Sequence, residues 1–286
     1  MNHELIQPGG LQLVLLGTGT PVPDPERSGP SAAVMVDEQA YLVDFGPGVV
    51  RSAAAASERY GLETLDASNL CIAFLTHLHS DHTAGFADLL LTPWVVGRAE
   101  PLQIYGPPGT RTLVEHTRAA HQEDIDLRLD GLEPSNVTGC QTIVTEIETG
   151  LVYEDDHLRV EAFPVKHGSW KKAFGFRFQG AGRSIVFSGD TVPVTSLIEK
   201  ARGCDILVHE VYSQTQFDIL PEEWQEYHTA FHTSTRQLAE IANQVRPELL
   251  VLYHQLFWGV TEEELLAEIR QDYDGEVISG RDLDVF

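Results

Sequence analysis

The run His77-Leu78-His79-Ser80-Asp81-His82 stands directly after the apolar segment CIAFLT and limits what this sequence can build. In an extended segment, side chains two apart point the same way, so His77 and His79 can face one cation together. The turn that follows aims Asp81 and His82 at a second position nearby. Imidazole nitrogen and carboxylate oxygen suit zinc and similar first-row divalent metals. A solvated turn accounts for one histidine at a strand end. Three histidines and an aspartate within one short run point instead to a metal site.

The rest of the chain is patterned to bring further donors to the same place. Strands are expected at Leu11 to Gly17, Ser31 to Asp37, Gln39 to Asp44, Val160 to Pro164, Ala173 to Phe178, Ser184 to Ser188, Ile206 to His209 and Leu249 to Tyr253. Helices are expected at Val49 to Tyr60, Gly85 to Leu91, near Thr110 to Asp124, and at Pro193 to Ala201, Thr233 to Val245 and Glu262 to Tyr273. Strands and helices alternate in two successive sets with no linker between them, so the reading is one α/β domain over residues 1–286, with layered sheets under helices. His167, Asp190 and His254 each lie just past the end of an apolar strand, where such sheets gather their active sites.

The run HLHSDH after a strand, with His167, Asp190 and His254 following in chain order, resembles the metallo-β-lactamase fold hydrolases. The resemblance implies an αββα sandwich of two packed mixed sheets flanked by helices. It also implies that the residues matching His77, His79 and His167 hold one metal. Those matching Asp81, His82 and His254 hold a second, and Asp190 bridges both. The true β-lactamases of the superfamily carry a cysteine where this chain has Asp190, which argues against antibiotic hydrolysis.

Three further segments narrow the resemblance to the ribonuclease Z branch: the opening LLGTGTPVPDPERSGPS, the pair GFRF and GRSIVFSGDT, and His209-Glu210. His232 in FHTST matches that branch's histidine near the phosphate, which assists the leaving group. Enzymes of the branch that process transfer RNA carry a long basic arm between the strands matching GFRF and GRSIVFSGDT. Here only Gln179-Gly180-Ala181-Gly182 lies between Phe178 and Arg183, a tight hairpin. The segment Asp44-Phe45-Gly46-Pro47-Gly48 also replaces the branch's usual acidic Gly-Glu-Gly.

Composition bears on the same question. Nineteen Lys+Arg stand against 43 Asp+Glu, a net charge of −24, and the only lysines are Lys166, Lys171, Lys172 and Lys200. Nucleic-acid binding relies on cations that neutralise phosphates, so a nucleic-acid partner is not expected. The resemblance then points to arm-less relatives acting on small esters. Relatives are often homodimers. Three scattered cysteines (Cys71, Cys140, Cys204), no basic leader and no apolar run of membrane-spanning length suggest a cytoplasmic protein.

Trp94, Trp170 and Trp258 sit close in sequence to metal ligands and are candidates for an apolar substrate wall. Lys166, Lys171 and Lys172 flank His167 and read as a solvated loop. His3, His116, His121, His157 and His228 read as ordinary surface residues, with His228 kept in view for its nearness to His232.

The expected chemistry is that of a binuclear metal hydrolase. Two divalent ions, zinc foremost with manganese or iron as alternatives, share a bridging hydroxide that attacks a small ester. Asp81 orients that hydroxide and takes its proton, and His232 assists departure. A phosphodiester comes first, with a lactone, carboxylic or sulfate ester second. A transfer-RNA 3′ endonuclease and a metal-binding protein without catalysis are the remaining readings.

Overall fold

The structure is a computed structural model and describes residues 10–286. His3 and most of the N-terminal segment read for a leader lie outside the described residues. The first sheet takes its strands in chain order: β1 (Gln12–Gly17), β2 (Ser31–Val36), β3 (Gln39–Val43), β4 (Ile72–Phe74), β5 (Leu102–Gly106) and β6 (Thr142–Glu146). The second sheet runs β7 (Gly150–Glu154), β8 (Leu158–Pro164), β9 (Phe174–Gly180), β10 (Arg183–Phe187), β11 (Ile206–Tyr212), β12 (Leu249–Leu256) and β13 (Val277–Ser279). Each sheet begins antiparallel at one side and turns parallel at the other, so both are mixed. Leu13, Val34 and Phe74 of one sheet meet Phe176, Phe178, Phe187, Val208 and Val251 of the other in a buried apolar layer.

Helices cover the two outer faces. The first sheet carries α1 (Val49–Tyr60), the single turn α2 (Ser80–Thr83), α3 (Phe86–Val95), α4 (Thr110–Ala120) and α5 (Gln122–Asp130). The second carries α6 (Thr195–Ala201), α9 (Thr235–Val245) and α10 (Glu262–Arg270), while α7 (Gln214–Phe217) and α8 (Glu222–Phe231) lie in the connection from β11 to α9. This is the αββα sandwich that the sequence pattern and the resemblance implied. Among the described residues, no helix is long and apolar enough to cross a membrane.

The differences from the sequence reading have local causes. The helix expected to stop at Leu91 continues to Val95 through Pro93. Proline has no N–H, so it leaves the Leu89 carbonyl without its helical partner. The buried Arg98 guanidinium donates to that carbonyl at 3.0 Å and to Leu90 at 2.7 Å, replacing what the proline removes. The helix expected near Thr110 to Asp124 is two, broken at His121. Helix α9 starts at Thr235 because Ser234 and Gln237 form a reciprocal cap, while the Thr233 amide donates to Glu210. Helix α8 was not foreseen at all.

Candidate metal centre

Strand β4 hands the chain to Thr76 and His77 at its C-terminal end. The Thr76 hydroxyl lies 3.0 Å from His77 Nδ1, which turns Nε2 inward. His77 Nε2 and His167 Nε2 each lie 3.0 Å from His79 Nδ1. His167 follows β8 and is oriented by donating from Nδ1 to the Phe231 carbonyl at 2.8 Å. Three imidazole nitrogens thus converge on one point.

The turn α2 begins immediately after His79 and presents Asp81 and His82 together. His82 Nδ1 donates to Asp44 Oδ2 at 2.8 Å, which leaves Nε2 facing the site. Asp44 also accepts from the Thr76 amide at 2.8 Å, and its backbone is left-handed at φ 58°. His254 owes its position to an irregularity between β11 and β12. Glu210 pairs with Tyr253 and Val211 with Gln255, so His254 is the extra residue of a bulge, at φ 46°. Its Nε2 lies 3.2 Å from Asp81 Oδ2.

Asp190 arrives at the end of β10 through Gly189, whose φ is 59°. A Cβ on that glycine would stand 2.7 Å from the Phe174 carbonyl oxygen. Asp190 Oδ2 lies 4.0 Å from His77 Nε2, 3.9 Å from His167 Nε2, 3.6 Å from His82 Nε2 and 3.5 Å from His254 Nε2. One carboxylate oxygen therefore sits between the two donor groups.

The donor atoms of His77, His79, His167 and Asp190 all lie within 4.8 Å of one another, as do those of Asp81, His82 and His254. His82 Nε2 and Asp190 Oδ1 are buried without a hydrogen-bond partner. Orphaned buried polar atoms are costly, and a divalent cation among these nitrogens and carboxylates would satisfy them. The residues fit a metal. Burial alone would raise the Asp190 carboxyl, but His254 and His82 outweigh it and hold it well below its ordinary range. Burial pushes the His77 imidazole down, and takes His167 down to about 4. Both are then neutral, the form that binds metal.

His232 joins the group, its donor nitrogen lying within 4.8 Å of those of Asp190 and His254. Its Nδ1 stands 3.4 Å from Glu210 Oε2. Burial takes His232 down to about 4 and, with Asp190 adding to it, pushes the Glu210 carboxyl well above its ordinary range. Glu210 Oε1 accepts from the Thr191 and Thr233 amides at 3.2 and 3.0 Å, which fixes the carboxyl beside His232.

The aromatic candidates part company. Trp170 lies against a candidate ligand, its Nε1 donating to His79 Nε2 at 2.8 Å. Trp258 packs against Tyr212 and His228 at the rim, with ring centres 5.5 and 4.5 Å away. Trp94 does not face the site: it is buried with Ile125 and Cys140 and donates to the Asn136 carbonyl, because α3 turns that face toward α5. Lys172 pairs with Glu148 at the surface, as a solvated loop does. His228 is not a surface residue but is buried between Trp224 and Trp258. Sequence reasoning overlooked Asp44 and Thr76 as positioning residues. The segment Asp44 to Gly48 had drawn notice only as a departure from the branch pattern.

The hairpin expected in place of an arm is present. Gly180 pairs with Arg183, and Ala181 and Gly182 form a two-residue turn with φ 48° and 76°. Residues 39–255 match the β-lactamase superfamily domain. A protein named Ribonuclease Z from Mycobacterium bovis is 37% identical over 279 residues, the alignment covering 96% of either chain. A Ribonuclease Z of a Mycobacterium species is 38% identical over 249 residues, covering 86% of this chain and 84% of that one. Among solved structures, the short form of human tRNase Z superposes with a TM-score of 0.70 at 24% identity, over 96% of this chain and 98% of that one. A metallo-β-lactamase fold protein of Bacillus subtilis gives 0.71 at 19%, over 96% and 98%. The chain therefore belongs to the β-lactamase superfamily, within its ribonuclease Z branch, and is a metal-dependent hydrolase.

Proposed function

We propose that the chain hydrolyses phosphodiesters at a two-metal centre and that its substrate is the 3′ region of a precursor RNA. The observation that carries this reading is the end-to-end similarity to proteins named Ribonuclease Z, at 37% identity over 96% of either chain. That alignment also weakens the expectation against nucleic acid.

In this reading His77, His79 and His167 would hold one divalent ion and Asp81, His82 and His254 the other, with Asp190 placed beside both groups. Zinc is the first choice for such donors, with manganese or iron as alternatives. Bound metals supply Lewis acidity, polarising the phosphoryl oxygen and making water nucleophilic near neutral pH. Asp81 orients the attacking water and accepts its proton, being next to the site and paired with His254. His232 stands beside Glu210, whose carboxyl burial holds toward its protonated form, so a proton passed from His232 to the departing oxygen can be replaced from Glu210.

A second reading, a small phosphodiester substrate, is favoured by the net charge of −24 and the two-residue hairpin. Metal-reconstituted protein should be offered a precursor transfer RNA with a 3′ trailer, bis(p-nitrophenyl) phosphate, p-nitrophenyl acetate and a homoserine lactone. Metal-dependent cleavage of the RNA supports the first reading. Turnover of the phosphodiester with inert RNA moves the function to small substrates. Preference for the acetate or the lactone overturns both.

A further inference from the structure

Helix α8 carries two columns of stacked rings. Trp224 lies over His228, with centres 5.9 Å apart and planes 27° apart. Tyr227 lies over Phe231, 4.4 Å and 18° apart. The spacing of four residues makes this possible, since such pairs are neighbours on a helix face. Both columns end at the metal centre. Phe231 stacks on the His79 ring at 6.4 Å and meets the edge of His167 at 4.9 Å. His228 lies 5.6 Å from His232. Their outer rings are open to solvent, Trp224 being 50% and Tyr227 37% exposed. Large aromatics left in water beside a reaction centre have a use other than core packing.

We infer that Trp224 and Tyr227, whose rings stand 5.8 Å apart at 80°, form an aromatic platform where the nucleobase next to the scissile phosphate stacks on one ring and meets the edge of the other. The inference rests on the phosphodiesterase reading and narrows its substrate to one bearing a flat ring. Every base has a π face, so such a platform binds bases with little regard to sequence. The charge of the helix supports a base over a phosphate backbone as the occupant. Glu222, Glu223 and Glu226 are exposed on the same helix, which carries no lysine or arginine. Phosphates are repelled there, while an uncharged ring is not. The platform therefore contributes ring recognition, and the metals hold the phosphate.

The test compares two p-nitrophenyl phosphodiesters that share a leaving group, one esterified with the 5′ oxygen of thymidine and one with methanol. Metal-loaded wild type should favour the thymidine ester about tenfold or more in KM, the size expected from one stacked base. Trp224→Ala and Tyr227→Ala should each collapse that preference toward unity, and Trp224→Phe, which keeps a ring, should restore most of it. Tryptophan fluorescence gives a readout independent of turnover: adenosine 5′-monophosphate should quench wild type more than ribose 5-phosphate does, and Tyr227→Ala should weaken the difference. If neither ester is turned over, the phosphodiesterase reading fails, and the quenching still decides whether the platform binds a base. Equal quenching by both ligands, or an unaltered thymidine preference in Trp224→Ala, overturns the inference. So does a wild-type dimer that Trp224→Ala converts to monomer without a change in base preference, since the face is then a contact between copies of the chain.

Discussion

Asp44→Asn offers a sharp probe of how the metal centre is held. The substitution preserves shape, and asparagine tolerates the left-handed backbone at φ 58°, so the fold should stand. The hydrogen bonds cannot all survive. Asp44 accepts from the Thr76 amide at 2.8 Å, from the Thr76 hydroxyl at 2.9 Å and from His82 Nδ1 at 2.8 Å. An amide has one accepting oxygen and one donating nitrogen. If its nitrogen faces His82, Nδ1 must accept and the proton moves to Nε2, the atom that faces the metal. If its nitrogen faces Thr76, two N–H groups oppose each other in a dry site. Either way the His82 side of the centre weakens. Loss of such an outer partner costs about 10- to 100-fold in metal affinity, or about 1.4–2.8 kcal/mol. Competition with a chromogenic chelator should show one tight and one weakened equivalent, the weak one being that of Asp81, His82 and His254. Wild-type affinity at both positions would mean that the His82 tautomer does not govern metal binding.

Four more outcomes follow from the same contacts. His79→Ala should abolish metal-dependent turnover while circular dichroism stays unchanged, and full activity at normal metal content would sink the ligand assignment. Arg98→Met removes the buried guanidinium that donates to the carbonyls of Leu70, Leu89, Leu90 and Gly139, so urea titration should show a loss of about 3 kcal/mol or more. In Gly168→Ala the new methyl would stand 2.0 Å from the Phe231 ring at φ 52°, displacing the segment that orients His167; thermal melting should fall and metal binding weaken. In metal-free protein, His209 is taken down to about 4 by burial. The unfolded chain then gains a proton near pH 6.5 that the folded chain refuses. That stability is complete above pH 6.5 and is lost as pH falls toward 4, by about 3 kcal/mol for this residue. Urea midpoints that do not fall between pH 7.5 and pH 5 would contradict it.

Much of the site was legible because its donors lie at or near the ends of short apolar runs. CIAFLT precedes His77, and SIVFSGD and LLVLYH end in Asp190 and His254, although β12 continues past His254 to Leu256. Less legible was how they are aimed. The bulge that turns His254 inward depends on the pairing of β11 with β12, which no local pattern encodes. Asp44 acts on His82 across 38 positions of sequence. Trp94 misled because nearness in sequence to His82 says nothing about which face of α3 it occupies. Helix α8 is hard to read because Trp224, Tyr227, His228 and Phe231 keep helical spacing only over a short, glutamate-rich segment whose stripe is aromatic and partly polar. Its exposed rings are the part of the site that burial logic could not supply.

Whether two ions share Asp190 is decided by the metal content of purified, reconstituted protein. Mass spectrometry should find two equivalents per chain in wild type. It should find fewer than one in Asp190→Ala, since that carboxylate lies within 4.0 Å of imidazole nitrogens from both groups. A single equivalent in wild type, or two retained by Asp190→Ala, would contradict the shared centre.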